Sequence, residues 1–451
     1  MPSDGCRQVQ TAYLPIYRQP ENIMNTLLNQ LKPYPFARLR EAMQGISAPE
    51  GLEAVPLHIG EPKHPTPKVI TDALTASLHE LEKYPLTAGL PELRQACANW
   101  LKRRYDGLTL NSDTEILPVL GSREALFSFV QTVLNPVSDG IKPVIVSPNP
   151  FYQIYEGATL LGGGEIHFAN CPAPSFNPDW RSISEEVWKR TKLVFVCSPN
   201  NPSGSVLDLD GWKEVFDLQD KYGFIIASDE CYSEIYFDGN KPLGCLQAAA
   251  QLGRSRQKLL MFTSLSKRSN VPGLRSGFVA GDAELLKNFL LYRTYHGSAM
   301  SIPVQRASIA AWDDEQHVID NRRLYQEKFE RVIPILQQVF DVKLPDASFY
   351  IWLKVPDGDD LAFARNLWQK AAIQVLPGRF LARDTEQGNP GGRLCAYCFG
   401  CRCRNLCQSC GNHCFPISVK NKKYRLNFCS DGIFQYFTVE FAITVFTSLL
   451  I

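Results

Sequence analysis

Phe224-Ile225-Ile226-Ala227-Ser228-Asp229-Glu230-Cys231-Tyr232 decides the fold. Residues 224–228 are apolar or small with no polar alternation, the pattern of a strand buried on both faces, and the run closes on a carboxylate. Similar runs occupy 116–120, 143–147 and 193–197, with two more at 259–263 and 277–280. Amphipathic stretches such as 124–134 and 209–221 lie between them. Buried strands joined by helices predict an α/β fold, a mostly parallel sheet covered by helices on both faces. Functional residues then collect in loops at the carboxyl ends of the strands. From about residue 299 the pattern turns helical through 340, followed by a strand at 348–353 and a helix at 361–372. This predicts a second, smaller α+β domain to which the N-terminal segment returns.

The loops carry a definite chemistry. Thr263-Ser264-Leu265-Ser266-Lys267 is followed at once by Pro272-Gly273-Leu274-Arg275-Ser276-Gly277. An amine just before a glycine turn and an arginine suits an aldehyde cofactor held by its phosphate. The amine forms a Schiff base and the guanidinium fork pairs the dianion. Gly121-Ser122-Arg123-Glu124 ends a strand and opens a helix, where backbone N–H groups and the Ser122 hydroxyl make an anion site; a plain helix cap uses the same residues. Ser122, Arg123, Ser264 and Arg275 form the predicted phosphate cup. Asp229 at a strand mouth either caps a turn or faces a pyridine nitrogen and keeps it protonated. Tyr232 three residues on and Lys267 downstream favour the second role. Asn201, in Pro199-Asn200-Asn201-Pro202-Ser203-Gly204, is either a turn residue before proline or, with Tyr232, a hydrogen-bonding group for a ring oxygen.

This ordered set resembles the signature of fold-type I, pyridoxal-phosphate-dependent aminotransferases of class I/II, across about residues 24–391. The resemblance implies pyridoxal 5'-phosphate as cofactor and Lys267, Asp229 and Tyr232 as the catalytic residues. Lys267 holds the cofactor and, once displaced by the substrate amine, moves the proton at the reacting carbon, which needs a deprotonated amine. Tyr152, in the run Pro150 to Tyr155, stacks over the cofactor ring for about 1 kcal/mol, unless it is simply a core tyrosine. Gly60, in Gly60-Glu61-Pro62, presents its backbone to the substrate carboxylate. Tyr84, in Tyr84-Pro85-Leu86-Thr87-Ala88-Gly89, reaches the phosphate of the neighbouring subunit's cofactor, so the resemblance implies a homodimer with shared active sites. Residues 24–39 and 375–385 look most like bacterial succinyldiaminopimelate aminotransferases. The implied reaction moves an amino group between N-succinyl-L,L-diaminopimelate and 2-oxoglutarate or glutamate, in lysine and cell-wall precursor synthesis. The residues leave other readings open: an aspartate- or alanine-type aminotransferase, a lyase on the same cofactor, or a non-catalytic protein with a zinc-binding tail.

Composition narrows the class. The chain has 451 residues, 45% hydrophobic and 21% charged, with a formal net charge of +1, and nothing in that balance calls for nucleic acid or an anionic membrane. The first 23 residues lack a continuous apolar stretch, so Met24 is the expected start, residues 1–23 a spurious or disordered extension, and the cytoplasm the expected location. Six of the 14 cysteines are scattered up to Cys245, whereas eight crowd between Cys395 and Cys429. The expected organisation is therefore 24–65 packing with the small domain, 66–300 as the large cofactor-binding domain, 301–391 as the small domain, and 392–451 as an aberrant tail. In the resembling family a segment Gly-Tyr-Val-Arg-Ile-Ala follows here, its arginine gripping the substrate α-carboxylate; this chain reads Gly392-Arg393-Leu394-Cys395-Ala396-Tyr397-Cys398. Permitted codons for residues 392–418, read one base later, encode that missing motif, so the tail reads as a frameshift product without a metal site. Taken literally, Cys395, Cys398, Cys407, Cys410, His413 and Cys414 have the spacing of a zinc site.

Overall fold

Seven strands build the large sheet: β1 (Ile116–Val119), β2 (Val144–Asn149), β3 (Glu165–Asn170), β4 (Thr191–Cys197), β5 (Ile225–Asp229), β6 (Leu259–Ser264) and β7 (Gly277–Gly281). They lie in the order β1-β7-β6-β5-β4-β2-β3. All neighbours from β3 through β6 are parallel, while β7 runs antiparallel to both β6 and β1. The reversal has a local cause. A parallel return needs a crossover that packs on the sheet, but residues 265–276 form only a four-residue helix and a 3-10 turn at the end of β6. That turn carries Lys267. The computed structural model describes residues 24–135 and 140–399, together with the backbone of two short strands, Pro416–Val419 and Lys422–Arg425.

Alternation along the strands supplies two apolar layers. Val194, Val196, Ile226 and Met261 face a core with Trp100, Trp212 and Trp312. Phe195, Ala227, Leu260 and Phe262 face the opposite one with Phe129, Val279 and Phe289. Helices α1 (Pro35–Ala42), α2 (Ser122–Val133), α3 (Leu209–Tyr222), α4 (Leu265–Arg268), α5 (Ala283–His296), α6 (Gln316–Leu336) and α7 (Asp360–Ala371) pack around the sheets and position the functional loops. Their ends obey local chemistry: Asp208 caps α3 by accepting from the Gly211 N–H at 2.8 Å, and Gly223 ends it in the left-handed region. Near the start of the described residues Thr26–Gln30 forms a 3-10 turn, cut short before Pro33 and Pro35.

A third apolar core gathers α6, α7 and a small antiparallel sheet, β8 (Tyr350–Lys354), β9 (Leu376–Pro377) and β10 (Leu394–Cys398), in the order β9-β10-β8. Leu39 and Met43 of the N-terminal segment join this core, and Val55–Pro56 pairs in parallel with Ile373–Gln374. Residues 394–398, expected to belong to an aberrant tail, thus form the middle strand of the sheet. Strand pairing uses main-chain groups, so a short apolar run fills the place whatever its side chains offer. The zinc reading meets a geometric obstacle there. Cys395 and Cys398 are three apart on one strand and point to opposite faces: Cys395 Sγ contacts the Asp360 carbonyl at 3.5 Å, whereas Cys398 lines the cavity at the carboxyl ends of the large sheet. Cys407, Cys410, His413 and Cys414 lie outside the described residues, as do 1–23; among the described residues no three potential ligands converge on a metal position.

Tyr397 is buried in this third apolar core and its hydroxyl has no hydrogen-bond partner among the described residues. An unpaired buried hydroxyl is destabilising by about 1–3 kcal/mol. Tyr397→Phe is therefore expected to raise the urea midpoint of unfolding by the equivalent of about 1 kcal/mol, and a lowered midpoint would show that the hydroxyl is satisfied.

Candidate active site

The carboxyl ends of β4, β5 and β6 open into one cavity of about 580 Å³. Its wall brings together Gly60, Ser122, Arg123, Tyr152, Asn201, Asp229, Tyr232, Ser264, Lys267 and Arg275, residues scattered over more than two hundred positions. Tyr84 stands fully exposed and outside the cavity of its own chain.

Lys267 projects from the turn after β6, and its Nζ donates to the Gly60 carbonyl at 2.6 Å. Burial holds its pKa below the usual lysine range. Gly60 belongs there for a steric reason: a Cβ on it would collide with the Tyr350 hydroxyl. Tyr350 Oη lies 3.1 Å from Tyr232 Oη, so the two phenols form a pair in the same cavity wall as the lysine. Asp229 is buried at the end of β5, accepting from the Tyr155 hydroxyl at 2.8 Å and the Cys231 N–H at 3.3 Å. Burial pushes its pKa up, and the Cys231 thiol, the Tyr155 hydroxyl and the Cys231 N–H counter it only in part.

The cup forms around the start of α2. Gly121 precedes that helix at φ 83° and offers no side-chain cap, so the first-turn N–H groups are left for an anion. Arg275, itself in the left-handed region at φ 55°, donates to the carbonyls of Pro272 (2.8 Å) and Leu120 (3.3 Å). A Cβ on Gly121 would stand 2.6 Å from Arg275 Nη2, so only glycine lets the guanidinium lie against the helix start. Ser122 Oγ is 2.9 Å from Cys231 Sγ. Ser264 differs from its expected role: its hydroxyl caps α4, accepting from the Ser266 N–H at 3.1 Å, and donates to the Ser276 carbonyl at 3.0 Å. Ser266, which no motif in the sequence singles out, brings a second hydroxyl to the cavity wall. Arg123 also departs from expectation. Its guanidinium turns to the cavity mouth, where Nε donates to Tyr152 Oη and Nη2 to Tyr34 Oη at 3.3 Å.

These residues fit pyridoxal phosphate. An uncapped helix start beside a guanidinium suits the phosphate, a buried carboxylate suits the ring nitrogen, and a neutralisable amine lies within the same cavity. Tyr155 and Tyr350 are site residues that the sequence does not announce. Tyr155 closes the aromatic run 150–155 with no role of its own there, and Tyr350 sits in the aromatic run at 349–352. Asp229→Asn is expected to separate two effects. Removing an unneutralised buried charge leaves the cofactor-free thermal midpoint unchanged or higher, while the rise in midpoint on adding pyridoxal phosphate shrinks by at least half. An equal rise in parent and variant would place the ring nitrogen elsewhere.

Comparison with known proteins agrees with this geometry. Residues 53–400 match the family described as aminotransferase class I and II. An LL-diaminopimelate aminotransferase of Dehalococcoides mccartyi is 33% identical over 359 residues, covering 78% of this chain and 89% of that enzyme. The crystal structure of an aminotransferase from Neisseria meningitidis superposes with a TM-score of 0.83 at 95% identity, covering 84% of this chain and 96% of the other. A probable N-succinyldiaminopimelate aminotransferase from Thermus thermophilus gives 0.72 at 25% identity, covering 82% and 97%. With a matching family across most of its length, a fold-type I sheet and an amine, carboxylate and anion cup in one cavity, this chain belongs to the class I and II aminotransferases, which depend on pyridoxal phosphate.

Proposed function

We propose that the site transfers an amino group between a diaminopimelate-type amino acid, N-succinylated or free, and 2-oxoglutarate or glutamate. The observation that carries this reading is the Arg123–Tyr34–Tyr152 cluster at the mouth of the cavity that holds Lys267 and Asp229. A guanidinium held by phenols keeps its charge for an incoming carboxylate, so it suits a substrate with a second acidic group. The relatives named for diaminopimelate and its succinyl derivative support the same class.

Bound pyridoxal phosphate supplies an aldehyde for amines and a ring that accepts the electron pair released at the substrate Cα. The chain supplies the rest. Lys267, its pKa lowered by burial, would take and return the Cα proton, and the Gly60 carbonyl aims its Nζ. Asp229 would hold a proton on the ring nitrogen. Tyr232 brings a hydroxyl, paired with Tyr350, and Asn201 an amide to the same wall. For the assembly we infer a homodimer with shared sites. Exposed Tyr84 and Leu86 on one loop, and Leu291 and Tyr295 on α5, are the large apolar groups such a dimer would cover. A cytoplasmic location remains part of this proposal; among the described residues no helix is long and apolar enough to cross a membrane.

We also infer that the chain as written turns over poorly, and that residues 392–451 are read out of frame. Ala396 lines the cavity where the family resemblance expects the arginine that grips the α-carboxylate. Tyr397 beside it is buried with its hydroxyl unpaired, which suits a sequence foreign to this strand. Sequencing the genomic DNA across residues 388–418 decides the frame; an undisturbed frame with no homologous alternative rejects it. Losing a bidentate charged clamp weakens transition-state binding by about 2–5 kcal/mol. Ala396→Arg is therefore expected to raise kcat/KM by at least about 30-fold for transfer to 2-oxoglutarate, followed by glutamate formation. No gain in a folded, cofactor-loaded variant would show that this position does not meet the carboxylate. Lys267→Ala should abolish both turnover and borohydride trapping of the cofactor; trapping that persists would identify another lysine.

A further inference from the structure

Helix α6 carries Asn321, Tyr325 and Lys328 at positions i, i+4 and i+7, one face of the helix, and all three are buried. They meet His64, which follows the Gly60-Glu61-Pro62 segment and is itself buried. Asn321 Nδ2 donates to the carbonyls of Lys267 and Arg268, both at 3.3 Å. Its Oδ1 therefore faces the other way and accepts from Asn270 Nδ2 and from His64 Nδ1, each at 2.7 Å. With Nδ1 as donor, His64 Nε2 offers its lone pair to Lys328 Nζ at 2.6 Å. Lys328 also donates to the Phe399 carbonyl at 3.1 Å, just past β10, and the His64 ring packs on Tyr325 with centroids 4.5 Å apart. Along Lys328, His64 and Asn321 the donors run from the ammonium to the main chain of the lysine turn, and Asn270 of that turn donates back to Asn321.

We propose that His64 is a positioning residue for Lys267: the chain Lys328–His64–Asn321 fixes the lysine turn and the Gly60 segment to α6 as one unit. The segment then touches Lys267 twice. Gly60 meets the amine directly, and His64 reaches its main chain through Asn321. A displacement of α6 is transmitted to both ends of the lysine, so closure of the small domain and aim of the amine are coupled. The proposal rests on the reading of Lys267 as the cofactor lysine.

The test compares the full chain with His64→Leu, His64→Gln and Asn321→Asp. Glutamine can donate to Asn321 and accept from Lys328 as the imidazole does, whereas leucine can do neither. Aspartate keeps the volume of Asn321 but turns an acceptor toward two carbonyls. Two quantities are read: amide hydrogen exchange at 57–64 and 265–270 without cofactor, and the pH midpoint of the absorbance band with pyridoxal phosphate bound. His64→Leu and Asn321→Asp should speed exchange in both segments by at least about fivefold. They should also shift the midpoint by about 0.5 unit or more, because a loosened turn changes the hydration and placement of the nitrogen bonded to the cofactor. His64→Gln should stay within about twofold of the parent in exchange. Unchanged exchange at 265–270 in His64→Leu, or His64→Gln as impaired as His64→Leu, overturns the proposal. If His64→Leu does not fold, Asn321→Asp decides by the same measurements. A parent with no cofactor absorbance counts against the cofactor reading, and the exchange arm still decides this one.

Discussion

An acid shut into the end of β5 sets the terms for everything around it. Asp229 has a phenol, a thiol and a backbone N–H for company, and none of them carries charge. A carboxylate so placed is held at a free-energy disadvantage until a cation arrives. The neighbouring architecture keeps it there. Tyr155 is stacked on Phe195 at 4.2 Å in the sheet's own core, so its hydroxyl cannot swing away, and the backbone of β5 is pinned on both edges by β4 and β6. The cavity is complete only with a ligand that brings a protonatable ring nitrogen to the floor and an anion to the rim.

Most of this was legible in the chain, for reasons that differ by element. Strands buried on both faces announce themselves by unbroken apolar runs, and six of the seven strands lie within about two residues of such a run at each end. β3 was not found, because Glu165-Ile166-His167-Phe168 lies at a sheet edge, half-exposed, with charged and apolar residues mixed. The direction of β7 was not legible either, since it depends on a turn too short to cross the sheet. Residues whose chemistry is local to a motif, such as Lys267, Asp229 and Arg275, came together as expected. Those defined by distant partners did not show. Nothing near His64 points to Asn321, 257 positions away, and Ser264 and Ser266 differ only in which hydroxyl the helix cap consumes.

β10 shows how far a fold and its chemistry can part. The strand pairs with β8 across five residues and buries its side chains, yet it offers the cavity an alanine and a thiol. Backbone complementarity admitted the strand; no side chain of β10 at that wall answers a carboxylate. The large sheet does not depend on the side chains of β10, because the cup, the amine and the buried acid all hang on β4 to β7 and the start of α2.

That division of labour has a physiological side. The groups suited to the cofactor hang on the large sheet, whereas Ala396, the position proposed for the α-carboxylate clamp, lies on the small one, so one can fail while the other persists. If the proposed loss of the clamp holds, such a chain would keep pyridoxal phosphate without completing a cycle, drawing on the free cofactor pool and returning it only by dissociation.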